Sequence, residues 1–143
     1  MKKSAAYMLD GRIVVQAMAL TDTGVWIAYG EVFSLRTDDP AELASALRTS
    51  LANSIEDIAH PPQSEWKHIQ RPLLQAAGVK TWAALGTKAK AVGVEWDGGS
   101  VAFLPSVEFR HHGGRANAGS TLHCGIDDER LGLQLLEAFE RAS

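Results

Sequence analysis

Apolar and polar positions in the first third of the chain are spaced for strands. Ala5 to Leu9 and Arg12 to Leu20 flank Asp10-Gly11, a dipeptide that accepts the positive φ angles of a two-residue hairpin turn. Asp22-Thr23-Gly24 marks a second turn before Val25-Trp26-Ile27-Ala28-Tyr29, and Gly30-Glu31 interrupts the run ahead of Val32 to Leu35. An interruption of that kind predicts a bulge or a bend, hence a curved antiparallel meander.

Periodicity then changes to that of a helix. Asp39 is placed to cap it, Pro40 suits the first helical position, and Glu42 stands three residues after the cap. Leu43, Leu47, Leu51, Ile55 and Ile58 recur at spacings of three or four, which predicts one helix running up to Ala59-His60, ended by Pro61-Pro62. Two short helices are expected next. Pro72 opens one that Gly78 closes, and Thr81 caps another over Trp82 to Leu85. A later hairpin pairs Lys88 to Trp96 with Ser100 to Leu104 around Asp97-Gly98-Gly99, and the small residues Ala89, Ala91 and Gly93 on one face of its first arm predict a closely packed helix. Residues 110–120 read as a glycine-rich polar loop, Thr121 to Cys124 as a short strand. A closing helix, capped by Asp127 or Asp128, presents Leu131, Leu135, Ala138, Phe139 and Ala142 on one side. The fold class is α+β: a curved antiparallel β-sheet, made of the N-terminal meander and the later hairpin, packed by an amphipathic helix and a C-terminal helix. Residues 1–143 make a single domain with no internal repeat.

Charge changes the picture more than bulk composition does. The 143 residues are 45% hydrophobic with a net charge of −3, which excludes general disorder and argues against a nucleic-acid binder that works by neutralising phosphates. Acidic residues are concentrated: between Asp38 and Glu65 one base, Arg48, faces six acids, namely Asp38, Asp39, Glu42, Glu56, Asp57 and Glu65. Such a field steers a basic partner. The lone Cys124 and the lack of a signal-like or membrane-spanning apolar run imply a soluble protein of a reducing, cytoplasmic compartment.

Enzyme-like patterns fall short. Gly114 to Thr121 has the glycine spacing of a phosphate loop but serine where the lysine belongs. His111, His112 and His123 with Cys124 offer soft ligands for a small metal-dependent enzyme or metal-binding protein, the alternative reading, yet no second cysteine completes a zinc site. Glu65 and His68 form a single Glu-x-x-His, where a di-metal bundle needs two. The four tryptophans are not interleaved with bases as a single-strand stacking platform would be; Trp26, Trp82 and Trp96 read as core, Trp66 as an interface residue. No catalytic set, metal or cofactor is assigned.

Several segments carry a resemblance. Asp10-Gly11-Arg12-Ile13-Val14-Val15, Gly24-Val25-Trp26-Ile27-Ala28, Asp39-Pro40-Ala41-Glu42-Leu43, His60-Pro61, Pro72 through Trp82 and Asp128-Glu129-Arg130-Leu131-Gly132 together resemble immunity proteins of bacterial contact-dependent growth inhibition systems. The resemblance implies a small cytoplasmic protein that binds one cognate toxin domain, often a nuclease and prominently a ribonuclease, without touching nucleic acid or membrane itself. It transfers no interface residues. The charge argument supplies them: Asp38, Asp39, Glu42, Glu56, Asp57 and Glu65 with Trp66 as an anchor, Asp39 and Glu42 having a competing role as a capping pair. Arg110, His111, His112 and Arg115 form a secondary loop surface.

Overall fold

Asp10 and Gly11 both adopt positive φ, 50° and 74°, and join β1 (Lys2–Leu9) to β2 (Arg12–Thr21) with Leu9 opposite Arg12, as the turn composition demands. These coordinates are a computed structural model that describes residues 1–36, 39–107, 109, 115–116 and 118–143, with backbone alone for 115, 116 and 118. Strand β3 (Trp26–Arg36) pairs with β2 and slips register between Gln16, opposite Val32, and Ala17, opposite Tyr29. Gly30 and Glu31 are the extra residues, Gly30 at φ 80°, so the expected bulge is present. The later hairpin is β5 (Lys90–Trp96) and β6 (Ser100–Val107). The open sheet runs β3-β2-β1-β5-β6, with the short strands β7 (Arg115–Ala116) and β8 (Leu122–Gly125) pairing with β6.

Helices cover both faces. On one, α1 (Pro40–Asn53) and the C-terminal helix, here α4 (Leu131–Arg141), bury Leu43, Leu47, Leu51, Leu131, Leu135 and Phe139 against Ile13, Val15, Val92, Val94 and Phe103. Each such side chain contributes about 1.5–3 kcal/mol when fully buried. On the other, α2 (Trp66–Ala77) and α3 (Trp82–Lys88) place Leu73, Ala77 and Leu85 against Tyr7, Leu9, Val14, Ala89 and Ala91. Of the small residues expected to receive a helix, Ala89 and Ala91 join this cluster, whereas Gly93 faces Leu104 of β6.

Four expectations are corrected. The amphipathic helix stops at Asn53, and Ile55–Ile58 form β4, which runs parallel to β2 beside Ala19 and Thr21. Ser54, fully buried and extended at the helix end, causes the switch: its hydroxyl donates to Met18 O at 2.6 Å and accepts from Lys3 N at 2.9 Å. Those bonds hold the chain at the sheet level, where the β-branched Ile55 and Ile58 extend. Glu56 and Asp57 therefore stand on an edge strand, Asp57 at φ 63°, not on a helix. Helix α2 begins six residues before Pro72, which sits inside it on the exposed side while Leu73 holds the helix to the sheet. Trp26 and Trp96 are only half-buried and Trp82 is 38% exposed; Trp26 and Trp82 border the unfilled face between α2 and β3, whereas Trp96 packs at the margin of the opposite core. Finally, Arg130 occupies the N-cap of α4 without a side-chain bond of that type. Asp128 acts one turn earlier, accepting from Arg130 N at 2.8 Å and pairing with its guanidinium, which holds the carboxyl below the usual aspartate range.

One close approach carries no obvious warning in the sequence. A Cβ on Gly132 would lie 2.0 Å from Pro40 O, so α4 crosses the start of α1 backbone against backbone. Gly132→Ala is expected to lower stability by about 1–3 kcal/mol through overpacking, read as a fall in denaturation midpoint at unchanged m-value. Ser54→Ala removes the hydroxyl that bridges the half-buried Met18 O and Lys3 N and should cost about 1–3 kcal/mol by the same measurement.

Candidate functional site

The carboxylates that stood together in sequence are separated in space. Asp39 Oδ1 accepts from Ala41 N and Glu42 N at 3.1 and 3.2 Å, so its acidic charge serves the start of α1. Glu42 is exposed in the first turn, and the helix axis then advances about 16 Å before Asn53. Glu56 and Asp57 lie beyond that far end, both exposed, with Glu56 3.9 Å from the N-terminal ammonium. Asp38 lies outside the described residues. The expected single acidic face is thus two patches, one at each end of α1.

Around the end of β4 a hydrogen-bonded group does assemble. Asp22, on the β2–β3 turn, receives His60 N on Oδ1 at 3.3 Å and donates its own N–H to Ile58 O at 2.8 Å. Thr23 Oγ1 and His60 Nδ1 share a hydrogen bond of 2.8 Å, and the His60 ring meets Trp66 edge-on with centroids 5.8 Å apart. Glu65 is exposed at the end of a 3-10 turn (Gln63–Glu65) immediately before Trp66. His60 thus joins Asp22 to Trp66, and Glu56, Asp57 and Glu65 are exposed on the segments that flank it in the chain. Sequence reasoning missed Asp22 and His60. The β-turn composition of Asp22-Thr23-Gly24 explained Asp22 fully, and nothing local shows that residue 60 returns to it.

Trp66 also walls a cavity of about 230 Å³ over the β1–β3 face, together with Tyr7, Gln16, Trp26, Gln70 and Trp82. Tyr7 meets the Trp82 ring edge-on at 6.0 Å, and its burial pushes the phenol pKa far above the ordinary tyrosine value. The hydroxyl therefore stays protonated throughout the physiological range. Among the described residues it makes no hydrogen bond.

The solved structures can now be compared. A protein of unknown function from Neisseria meningitidis superposes with a TM-score of 0.80 at 17% identity, over 99% of this chain and 95% of its own. A chain of the CdiA-CT/CdiI toxin and immunity complex from Yersinia pseudotuberculosis superposes with a TM-score of 0.78 at 12% identity, over 99% and 97%. The fold is one that this chain shares with a chain of that complex. No family model and no curated protein matches the sequence. At these identities the likeness is one of fold, and it spans the whole layered domain, both helical faces included.

The ligands of the alternative reading are not brought together. His123 is exposed on β8 while its neighbour Cys124 is buried in the core, where burial and then Asp128 push the thiol pKa up. Alternation along the strand sends the two side chains to opposite faces. Arg110, His111 and His112 lie outside the described residues, as does the side chain of Arg115. Among the described residues no group of three His, Cys, Asp or Glu could hold a metal.

Tyr7 allows a direct check of the cavity. A phenol raised in the folded state contributes stability that is complete below its unfolded pKa of about 10 and is lost as pH rises above it. In an alkaline titration followed at the phenolate absorbance, Tyr7 should ionise only with loss of the near-UV signal. In Tyr7→Phe the alkaline loss of stability should become shallower.

Proposed function

We propose that this protein is an immunity protein that binds and neutralises a cognate contact-dependent growth inhibition toxin by stoichiometric association in the cytoplasm. The observation that carries the reading is the superposition, over nearly the full length of both chains, on a chain of a toxin and immunity complex. The charge distribution supports a nuclease, and among nucleases a ribonuclease, as the toxin. A nuclease concentrates positive charge where phosphates bind, and carboxylates presented on a rigid edge compete for that field.

Within this reading Glu56, Asp57 and Glu65 meet the cationic surface and Trp66 supplies an aromatic anchor. The exposed apolar side chains of Val25 and Ile55 lie in the neighbouring turn and strand. An apolar centre rimmed by charge is the usual anatomy of a protein interface, in which few residues carry most of the energy. Asp39 and Glu42 contribute chiefly to helix α1.

The reading is tested by co-producing the protein with the toxin domain encoded beside it. Growth should be restored and a one-to-one complex should elute in size exclusion; continued killing, or no complex, would reject immunity. Reversing Glu56 to lysine and neutralising Asp57 with asparagine, which tolerates the positive φ there, should leave the fold intact and slow association by about tenfold at low salt with a much smaller effect at high salt. An unchanged association rate would take β4 out of the interface and leave the immunity reading to stand on the complex alone.

A further inference from the structure

The charge of the chain reverses where α2 begins. From Trp66 to Val94 there are five basic residues and no acidic one. Lys67, Arg71 and Lys80 line a groove of about 630 Å³ between α2 and the start of α3, and all three are exposed. Among the described residues none of them has an ion-pair partner, whereas Lys3, nearby over the Trp26 ring, is neutralised by Glu95 at 3.0 Å. This groove and the aromatic cavity share Gln70 and Trp82 as a common wall.

One residue that lines the cavity carries an unpaired polar atom. Gln16 is 97% buried, with a relative exposure of 3%. Its Nε2 donates to Gly30 O at 2.9 Å, the carbonyl turned inward by the β3 bulge, and its Oε1 has no partner. The tryptophan walls require a flat ring, and the three cations next door require an anion attached to it.

We propose that cavity and groove form one site for a nucleoside phosphate, the base between Trp26, Trp66 and Trp82, the phosphate on Lys67, Arg71 and Lys80. The tryptophans, separate in sequence, become a stacking site only because α2, α3 and β3 converge. The site goes beyond the immunity reading and does not use the acidic edge except at Trp66. Its ligand has two sources of the same chemistry, a free nucleotide and the phosphorylated end of a single strand.

The four indole N–H resonances provide the test. The intact protein is titrated with each of the four ribonucleoside 5′-monophosphates, with the matching nucleosides, with inorganic phosphate, and with a 5′-phosphorylated oligoribonucleotide. Trp96 is an internal control, since its Nε1 is held by Gly99 O at 3.2 Å away from the cavity. The proposal expects saturable shifts of the other three indoles with a nucleotide, weaker ones with the nucleoside, and none at Trp96. Lys67→Glu with Arg71→Glu should weaken nucleotide binding by about tenfold and leave the nucleoside unaffected. Trp82→Ala, at an exposed position, should weaken both. Tighter binding of the oligonucleotide than of the monophosphate assigns the strand end; the reverse assigns the free nucleotide. Absence of saturable shifts with every nucleotide and oligonucleotide overturns the proposal, as does binding indifferent to both variants. Indole shifts that only a toxin domain produces overturn it too and assign the cavity to the toxin.

Discussion

A single buried hydroxyl decides how the two faces of this molecule are joined. Ser54 binds Met18 O and Lys3 N at the point where helix α1 ends. Lys2 Nζ closes the same corner by donating to Ser54 O at 2.7 Å. The chain is thereby held in the plane of the sheet, and β4 continues the line of β1 along β2. From there it passes to the opposite face as α2. Without that anchor the periodicity of Leu43 through Ile58 favours a longer helix on one side. The acidic edge and the Trp66 cavity both follow from the crossing.

Covering the sheet on both faces has a second consequence. Strand β2 alternates between two cores, Ile13 and Val15 in one and Val14 in the other, so a register slip would expose apolar side chains whichever way it went. The bulge at Gly30-Glu31 is tolerated because β3 is an edge strand. It also turns the Gly30 carbonyl toward Gln16 and leaves the far side of that amide unmet. Packing is tight where α1 meets α4, at Gly132, and incomplete where α2 meets β3.

Charge is partitioned along with the helices. The acids from Glu56 to Glu65 stand on the crossing and the bases from Lys67 to Lys90 follow on α2, α3 and the start of β5. A net charge of −3 conceals this dipole. Two surfaces of opposite sign can engage different chemistries without mutual repulsion, provided that each is held on a rigid element. The fold shared with a chain of a toxin and immunity complex supplies that scaffold, while the surfaces belong to this chain's own residues.

Much of the scaffold was legible in the residues themselves: the Asp10-Gly11 turn, the Gly30-Glu31 bulge, the Asp39-Pro40 helix start, the Gly78 stop, and the apolar stripe of the last helix. These are local effects, set by φ preferences, caps and side-chain period within a few residues. The site was not legible in the same way. Helical spacing of Ile55 and Ile58 was real but was overruled by Ser54, whose partners lie 36 and 51 positions away. Acidic residues adjacent in sequence were divided between the two ends of α1, and tryptophans scattered over the chain were gathered at one cavity. Such outcomes depend on which elements pack together, and a buried hydrogen bond or a shared cavity wall has no signature until distant segments have met.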